Sequence, residues 1–305
     1  MSTVLSGAMS STPEALEAHR GLVWGLCYRM TGVAADADEL VQDTFIRALQ
    51  SPPRGALRPW LMRVATNLSR DRLRRRRHAA YTGPWLPAPI DLERVAAPTE
   101  AADARYESWE SVSFAFLVAL EALTPTARAV LLLRDVFDYS TRETAELLNV
   151  QVGSVRTTLH RARKRMAGYD ADRDGLESPD PMHLAVLARW MMALASGDVG
   201  AAAELLADDV VSLSDGGDEF YAAKVPIVGP VRVARMYLKL GQLFDPAAAS
   251  VRVAVLNGAP AVVLEMPPTV PGYAPRGVTA IRVGRDGRID RVWSVLATPK
   301  LTAVV

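Results

Sequence analysis

The chain has 305 residues, half of them hydrophobic, and a formal net charge of +1. That composition excludes global disorder and is enough for about two or three domain cores. One cysteine, Cys27, excludes an internal disulfide and reads as a small core residue. No run of about 18 apolar residues is free of charge, and MSTVLSGAMSSTPE lacks the basic-then-apolar order of a secretion signal. The expectation is a cytoplasmic protein with no membrane span.

The near-zero net charge hides segregation. Residues 1–80 hold 12 Lys/Arg against 7 Asp/Glu, and residues 125–169 hold 8 against 4. Residues 170–220 reverse this with 2 against 12. Basic patches alternating with acidic connectors suit a modular protein with two sites for anionic ligands better than one compact enzyme.

Residues 14–30 read as a helix, with Leu16, Val23, Leu26, Cys27 and Met30 at helical spacing and Thr31-Gly32 as the break. A second helix is predicted over 34–50, burying Leu40, Val41, Thr44, Phe45 and Ala48. It turns Asp36, Glu39 and Asp43 outward, toward a partner with a basic surface. Ser51-Pro52-Pro53 stops it, and Pro59 suits the first turn of a third helix running to about Arg77. YTGPWLPAPIDL (81–92) cannot be a regular helix and is too apolar for a free tether. It is expected as an extended linker pinned to a domain surface. Helices follow over about 99–122 and 125–136. Beyond the acidic stretch, helices near 181–196 and 199–207 precede strand-like VVSLS, SVRVAVL, AVVLEM, VTAIRVG and RIDRVWSVL. NGAP (257–260) and GRDGR (284–288) look like hairpin turns. Residues 179–305 thus read as an α+β domain with a curved antiparallel sheet.

Two stretches carry the chemistry. Ser140-Thr141-Arg142-Glu143 matches a capping box. Asn149 ends that short helix, and the next, up to Met166, buries Val155, Leu159, Ala162 and Met166. From Ser154 to Met166 it has five Lys/Arg and no acid. This is a helix-turn-helix pattern, whose second helix enters the DNA major groove N-terminus first. Ser154, Arg156, Thr157 and His160 are then candidate base readers. Arg161, Arg163, Lys164 and Arg165 are candidate phosphate contacts. The second stretch is Arg58–His78, with eight arginines against the one acid Asp71. Arg70, Arg72 and Arg74–Arg77 crowd six guanidiniums into eight residues, a density that calls for polyanion or acidic partners. Trp60 and Asn67 can stack on or hydrogen-bond to an exposed base, or instead serve helix packing.

In order and spacing, DADELVQDTFIRAL (36–49), RPWLMRVATNLSRDRLRRRR (58–77) and residues 123–166 resemble a bacterial RNA polymerase sigma factor of the extracytoplasmic-function type. The resemblance implies that Asp36, Glu39, Gln42 and Asp43 dock on core RNA polymerase. It implies that Trp60, Arg63, Asn67, Arg70, Arg72, Arg74, Arg75 and Arg76 bind and melt the −10 element. It places the −35 element of double-stranded promoter DNA on the helix-turn-helix. YTGPWLPAP (81–89) is similar to the Trp-Leu-Pro linker, here Trp85, Leu86 and Pro87, of a subgroup with a fused C-terminal domain. That domain resembles the cone-shaped SnoaL-like (NTF2-like) fold, matched by DGGDEFYAAKVPIVG (215–229), LNG (256–258) and the final strand. Relatives end it with Asn-Pro-Asp-Lys-Leu/Phe; here Ala297-Thr298-Pro299-Lys300-Leu301 lacks the asparagine and aspartate. Ala88 stands where the linker has glutamate. Both departures bear on contacts made in relatives.

The expected fold class is therefore multidomain: two all-α sigma domains, then an α+β SnoaL-like domain. The expected division is a polymerase- and −10-binding domain (1–80), the linker (81–98), a helix-turn-helix domain (99–170), an acidic linker (171–180) and a regulatory domain (181–305). The regulatory domain is expected to touch the sigma domains or the linker and so to tune activity. Alternatives are a helix-turn-helix regulator that never joins polymerase, and an isomerase-like or ligand-binding C-terminal domain. His19, His78, His160 and His183 all precede the strands. Asp209, Asp215, Asp218, Glu219, Asp245 and Glu265, with Tyr221, Tyr237 and Tyr273, remain candidate acid–base groups, Glu265 as a candidate pocket residue. No catalytic residue, metal or cofactor is expected, but an unidentified small ligand fits such a fold.

Overall fold

The computed structural model describes residues 12–53, 55–78, 81–94, 105–173, 181–265, 267 and 270–304. Two compact units emerge. One comprises 1–79, 93–111 and 119–168, and the other 80–92, 112–118 and 169–305.

The first unit is helical. α1 (Pro13–Glu17) and α2 (Arg20–Thr31) replace the single helix expected over 14–30, with the break at Ala18-His19. Gly32 closes α2 in the left-handed conformation (φ 68°) that favours glycine. α3 (Ala34–Gln50) and α4 (Leu57–His78) match their expected spans closely. The predicted stripe of α3, from Leu40 to Ala48, is buried, and it packs with α2 and α4 around Val23, Leu26, Met30, Leu61 and Ala65. Burial pushes the Cys27 thiol up to about 12, so it stays protonated and is core, as expected.

The helix predicted over 99–122 is not there as one element. Residues 99–104 lie outside the described residues, residues 110–112 form one 3₁₀ turn, and α5 covers only Phe114–Leu120. α6 (Pro125–Asp135) starts where Thr124 Oγ1 accepts from Ala127 N (3.2 Å) with proline at the first position. α7 (Thr141–Leu148) and α8 (Val152–Asp172) follow. α8 runs past Met166, the end expected from the sequence.

The second unit is α+β. α9 (Pro181–Ala195) and α10 (Val199–Glu204) lead into β1 (Leu206–Asp215) and β2 (Ile227–Val228). Then come α11 (Pro230–Gly241), β3 (Ser250–Leu256), β4 (Ala259–Glu265), β5 (Arg276–Val283) and β6 (Ile289–Val295). The sheet order is β2-β1-β6-β5-β4-β3. It is mixed rather than antiparallel throughout, because β6 closes the β3–β6 meander by returning parallel to β1, with Ser212 opposite Val292 and Asp215 opposite Val295. Asn257-Gly258, both at positive φ, make the expected two-residue hairpin between β3 and β4.

Alternation along the strands builds a core on each face. Val262, Ile281 and Val292 meet Leu187, Trp190 and Val233 of α9 and α11. Their neighbours Val263, Ala280 and Trp293 meet Leu86, Phe114, Leu301 and Val304. With both faces covered, the strands read as unbroken apolar runs such as AVVL.

Candidate nucleic-acid interface

The turn into α8 is set by local chemistry. Ser140 Oγ accepts from Glu143 N (3.2 Å), while the Glu143 carboxylate accepts from Ser140 N (2.7 Å) and is held below its ordinary range by these bonds. Asn149 ends α7 in the left-handed conformation (φ 53°), which asparagine tolerates, and the chain re-enters helix at Val152. The capping box and the Asn149 stop are as the sequence predicts.

α8 buries Val155, Leu159, Ala162 and Met166. Ser154, Arg156, Thr157 and His160 are all exposed, as are Arg161, Lys164 and Arg165. Arg163 differs: its Nη2 and Nε donate to the two carboxylate oxygens of buried Asp135 at 2.6 and 2.9 Å. That fork anchors α8 to α6 and holds this guanidinium beside a protein carboxylate, although the side chain stays partly exposed.

The arginines of α4 divide in the same way. Arg63, Asn67, Arg74 and Arg75 are exposed, and Trp60 is half-buried. Arg74 Nη1 donates to Asp71 at 3.0 Å, an exposed pair of little energetic weight. Three others face protein groups. Arg72 bonds Asp36 and donates to Glu39 at 2.6 Å, so the two acidic residues expected to dock a partner are met by an arginine expected to hold DNA. Gln42 and Asp43 stay exposed on α3. Arg70 Nη2 donates to Thr126 Oγ1 at 3.1 Å. Arg76 donates to the Thr31 carbonyl (2.7 Å) and to both Glu121 oxygens (2.7 and 2.8 Å). Glu121 Oε1 also accepts from Arg128 Nη2 at 2.6 Å, and Arg128 reaches the Met30 and Leu120 carbonyls. Burial pushes the Glu121 carboxyl up, but the Arg128 and Arg76 guanidiniums outweigh it and hold it below the usual range. Nothing in the sequence pairs Glu121, in the turn between α5 and α6, with residue 76; only tertiary packing does so.

A second polar cluster holds the 81–92 segment within its own unit. Lys300 Nζ donates to Asp215 Oδ2 (2.6 Å) and to the Leu86 carbonyl (2.7 Å), and lies 4.3 Å from the centre of the Trp85 ring. Asp215 Oδ2 also accepts from Leu86 N (2.7 Å), and Oδ1 from Tyr81 and from Gly217 N (3.1 Å). The glycines after Asp215 are required. A Cβ on Gly216 would stand 2.4 Å from the Phe220 carbonyl oxygen, and one on Gly217, at φ 62°, 2.6 Å from the Ala297 Cβ. Four residues on, Ile90 N donates to Asn257 Oδ1 (2.9 Å) and Asn257 Nδ2 to the Val112 carbonyl (2.7 Å). The segment is extended and pinned, as expected. Ala88 is fully buried. Among the terminal ATPKL residues, Lys300 makes the anchoring contacts.

Among the candidate acid–base groups, Glu265 sits at a strand end beside Arg276 (3.1 Å) and is not among the residues that line the cavity of the second unit, whereas Tyr221, Tyr237 and Tyr273 are. No group of three or more His, Cys, Asp or Glu suited to a metal occurs among the described residues. No helix among them is long and apolar enough to cross a membrane.

Three family models match this layout: Sigma-70 region 2 over residues 15–79, Sigma-70 region 4 over 113–166 and a SnoaL-like domain over 187–292. The ECF RNA polymerase sigma factor SigJ of Mycobacterium tuberculosis is 34% identical over 94% of this chain and 92% of its own length. The chain belongs to the ECF RNA polymerase sigma factors. The crystal structure of M. tuberculosis SigJ superposes with a TM-score of 0.69 at 30% identity, covering 95% of this chain and 97% of the other. SigG of the same organism is 33% identical over 64% of this chain and 59% of its own length. This ECF sigma factor therefore joins helical sigma regions to a SnoaL-like domain with a mixed six-stranded sheet, and its function is that of an RNA polymerase sigma factor in transcription initiation.

Proposed function

We propose that the exposed face of α8 reads the −35 element while α4 grips the −10 element, with core RNA polymerase seated on α3. The observation that carries this reading is the outward face of α8. Ser154, Arg156, Thr157 and His160 occupy its N-terminal half, where a recognition helix meets base edges, and Arg161, Lys164 and Arg165 follow at phosphate-contact positions. On α4, exposed Arg63, Asn67, Arg74 and Arg75 make the first contacts with the −10 strand. Half-buried Trp60 lies within the same surface. Arg70, Arg72 and Arg76 join only when Thr126, the α3 carboxylates and Glu121 release them. Asp36, Glu39, Gln42 and Asp43 supply the docking face, and polymerase competes with Arg72 for the first two. Residues 1–80, 99–170 and 181–305 act as the two DNA-binding modules and the regulatory domain. The regulatory domain tunes activity through its hold on Trp85, Leu86 and Pro87. No catalytic residue, metal or cofactor takes part, and the protein works beside polymerase in the cytoplasm.

Run-off transcription with purified core polymerase tests the reading. Arg156→Ala should reduce discrimination at one −35 position by about 1–3 kcal/mol. Arg75→Ala should weaken binding alike on all sequences and lower the salt slope by about 1. If Arg156→Ala leaves −35 preference intact, the reading face is misassigned. If the wild-type chain directs no initiation from any template, the assignment of the three surfaces falls.

A further inference from the structure

The cone of the second unit contains a cavity of 690 Å³. This is the size of a pocket that encloses a small organic molecule. Trp190, Leu240, Phe244, Val251, Leu264 and Leu296 give it apolar walls, and among the described residues no carboxylate, lysine, arginine or histidine lines it. An ion entering such a space would lose its hydration without a countercharge.

One wall is polar. The Tyr237 hydroxyl lies 2.7 Å from Ser294 Oγ and 3.2 Å from Ser212 Oγ, and Ser294 Oγ lies 3.0 Å from Thr279 Oγ1. Tyr237, Ser294 and Thr279 all line the cavity. Four hydroxyls bring four O–H protons to three contacts, so one donor is left over. A second donor is idle nearby. Trp190 is fully buried and lines the same cavity, its ring edge-on to Tyr237 at 5.0 Å, and its indole N–H has no partner. Unspent donors beside a largely apolar cavity, to which Ser214, Tyr221 and Tyr273 add further hydroxyls, fit an acceptor oxygen on a ligand. Burial pushes the Tyr237 phenol up, so it remains a neutral hydroxyl and a poor general base.

We propose that this cavity is a receptor site for an uncharged, largely apolar small molecule carrying one oxygen acceptor, which the hydroxyl group at Tyr237 recognises. Among the described residues its ionisable lining groups are the phenols of Tyr221, Tyr237 and Tyr273, with no carboxylate, histidine or lysine beside them, so the proposal is of a binding site and not an active site. The proposal stands independently of which DNA element each helix reads.

The full-length protein can be titrated with N-phenyl-1-naphthylamine, an uncharged dye that brightens in apolar surroundings. The dye is then displaced with 2-acetylnaphthalene, naphthalene or 2-naphthoate. The ketone should displace it about tenfold more effectively than naphthalene, the equivalent of one well-made hydrogen bond. The carboxylate should fail. Tyr237→Phe should erase the advantage of the ketone while leaving naphthalene unchanged. Gly241→Trp provides a second variant, because a Cβ there meets nothing within 4 Å and the position lines the cavity. It should abolish dye brightening with little loss of thermal stability. Dye brightening that survives Gly241→Trp, a carboxylate that binds as well as the ketone, or a ketone preference that survives Tyr237→Phe would each overturn the proposal.

Discussion

Lys300 puts an ammonium where almost no water reaches, 8% exposed against a fully buried Asp215 carboxylate. A buried pair adds little over a well-packed apolar one, but losing one partner strands the other. Lys300→Met should therefore cost about 3 kcal/mol, the low end for such a loss, because Asp215 keeps the Leu86, Gly217 and Tyr81 donors. Amide exchange at Leu86 should speed up with the drop in melting temperature. Combining it with Asp215→Asn should recover part of the loss, and strictly additive single effects would mean the pair is not coupled. Glu121 poses the pH question. Its folded value lies below the ordinary value of 4.5, so the folded chain binds that proton less readily than the unfolded chain. The stabilisation is complete above the ordinary value and is lost as pH falls through the lower, folded one. Glu121→Gln should cost about 3 kcal/mol near pH 7, since it removes the carboxylate that faces the buried Arg128 guanidinium. The gap from wild type should close in denaturant titrations repeated in acid, as pH falls below the ordinary value of 4.5 and through the lower, folded one. A gap that persists in acid would mean that the amide's shape, not the lost charge, is responsible.

At the scale of elements, the cap of α7 decides how firmly α8 is presented. Ser140→Ala removes one half of the capping box and should cost about 1 kcal/mol. Fluorescence anisotropy on promoter duplexes should show weaker −35 binding with unchanged sequence preference, because no reading side chain has changed. A shift in preference would show that the cap sets the angle of α8 and not only its stability. That cap was legible because its signal lies within four residues. So were α3, with its apolar stripe between Gly32 and Pro52, and the Asn257-Gly258 hairpin. The misses share the opposite property. α11 went unread although Gly229-Pro230 opens it and Val233, Ala234 and Tyr237 face inward, since valines at 231 and 233 also fit a strand. The span 99–122 looked helical by composition, but Ser108 and Ser111 face Arg29 there. Its fully buried guanidinium, which burial pushes down to about 9, donates to the Ser108 carbonyl (3.1 Å) and Ser111 Oγ (2.8 Å). A helix–loop contact across some eighty positions leaves no periodic trace. The engagement of Arg70, Arg72, Arg76 and Arg163 is hidden for the same reason: the arginines are visible in sequence, but their carboxylate and hydroxyl partners are brought to them only by tertiary packing.

For the molecule as a whole, the order of the chain and the order of packing disagree. The Sigma-70 region 4 match begins at residue 113, yet residues 112–118 belong to the same compact unit as the C-terminal sheet. Phe114 stacks on Trp293 at 5.4 Å, and Leu86 joins it over Val263 and Val295. Leu86, Ala88, Ile90 and Phe114 are each at most 1% exposed. The SnoaL-like domain is therefore not a detachable tail, because stretches from the linker and from region 4 complete one face of its core. A chain ended after Gly168 keeps these side chains and loses what covers them. Returning one such residue to water costs roughly 1.5–3 kcal/mol, and a contiguous patch of them favours self-association. The truncated protein should show concentration-dependent oligomers in analytical ultracentrifugation and rapid proteolysis within 81–92, where the full chain resists. Phe114→Ala in the full chain supplies the complement: it should lower stability by about 3–5 kcal/mol and raise proteolysis at the same segment. A truncated chain that stays monomeric, keeps 81–92 protected and transcribes at the full-length rate would mean that this cover is dispensable. Regulation by the C-terminal domain would then have to run through a route other than its grip on the linker.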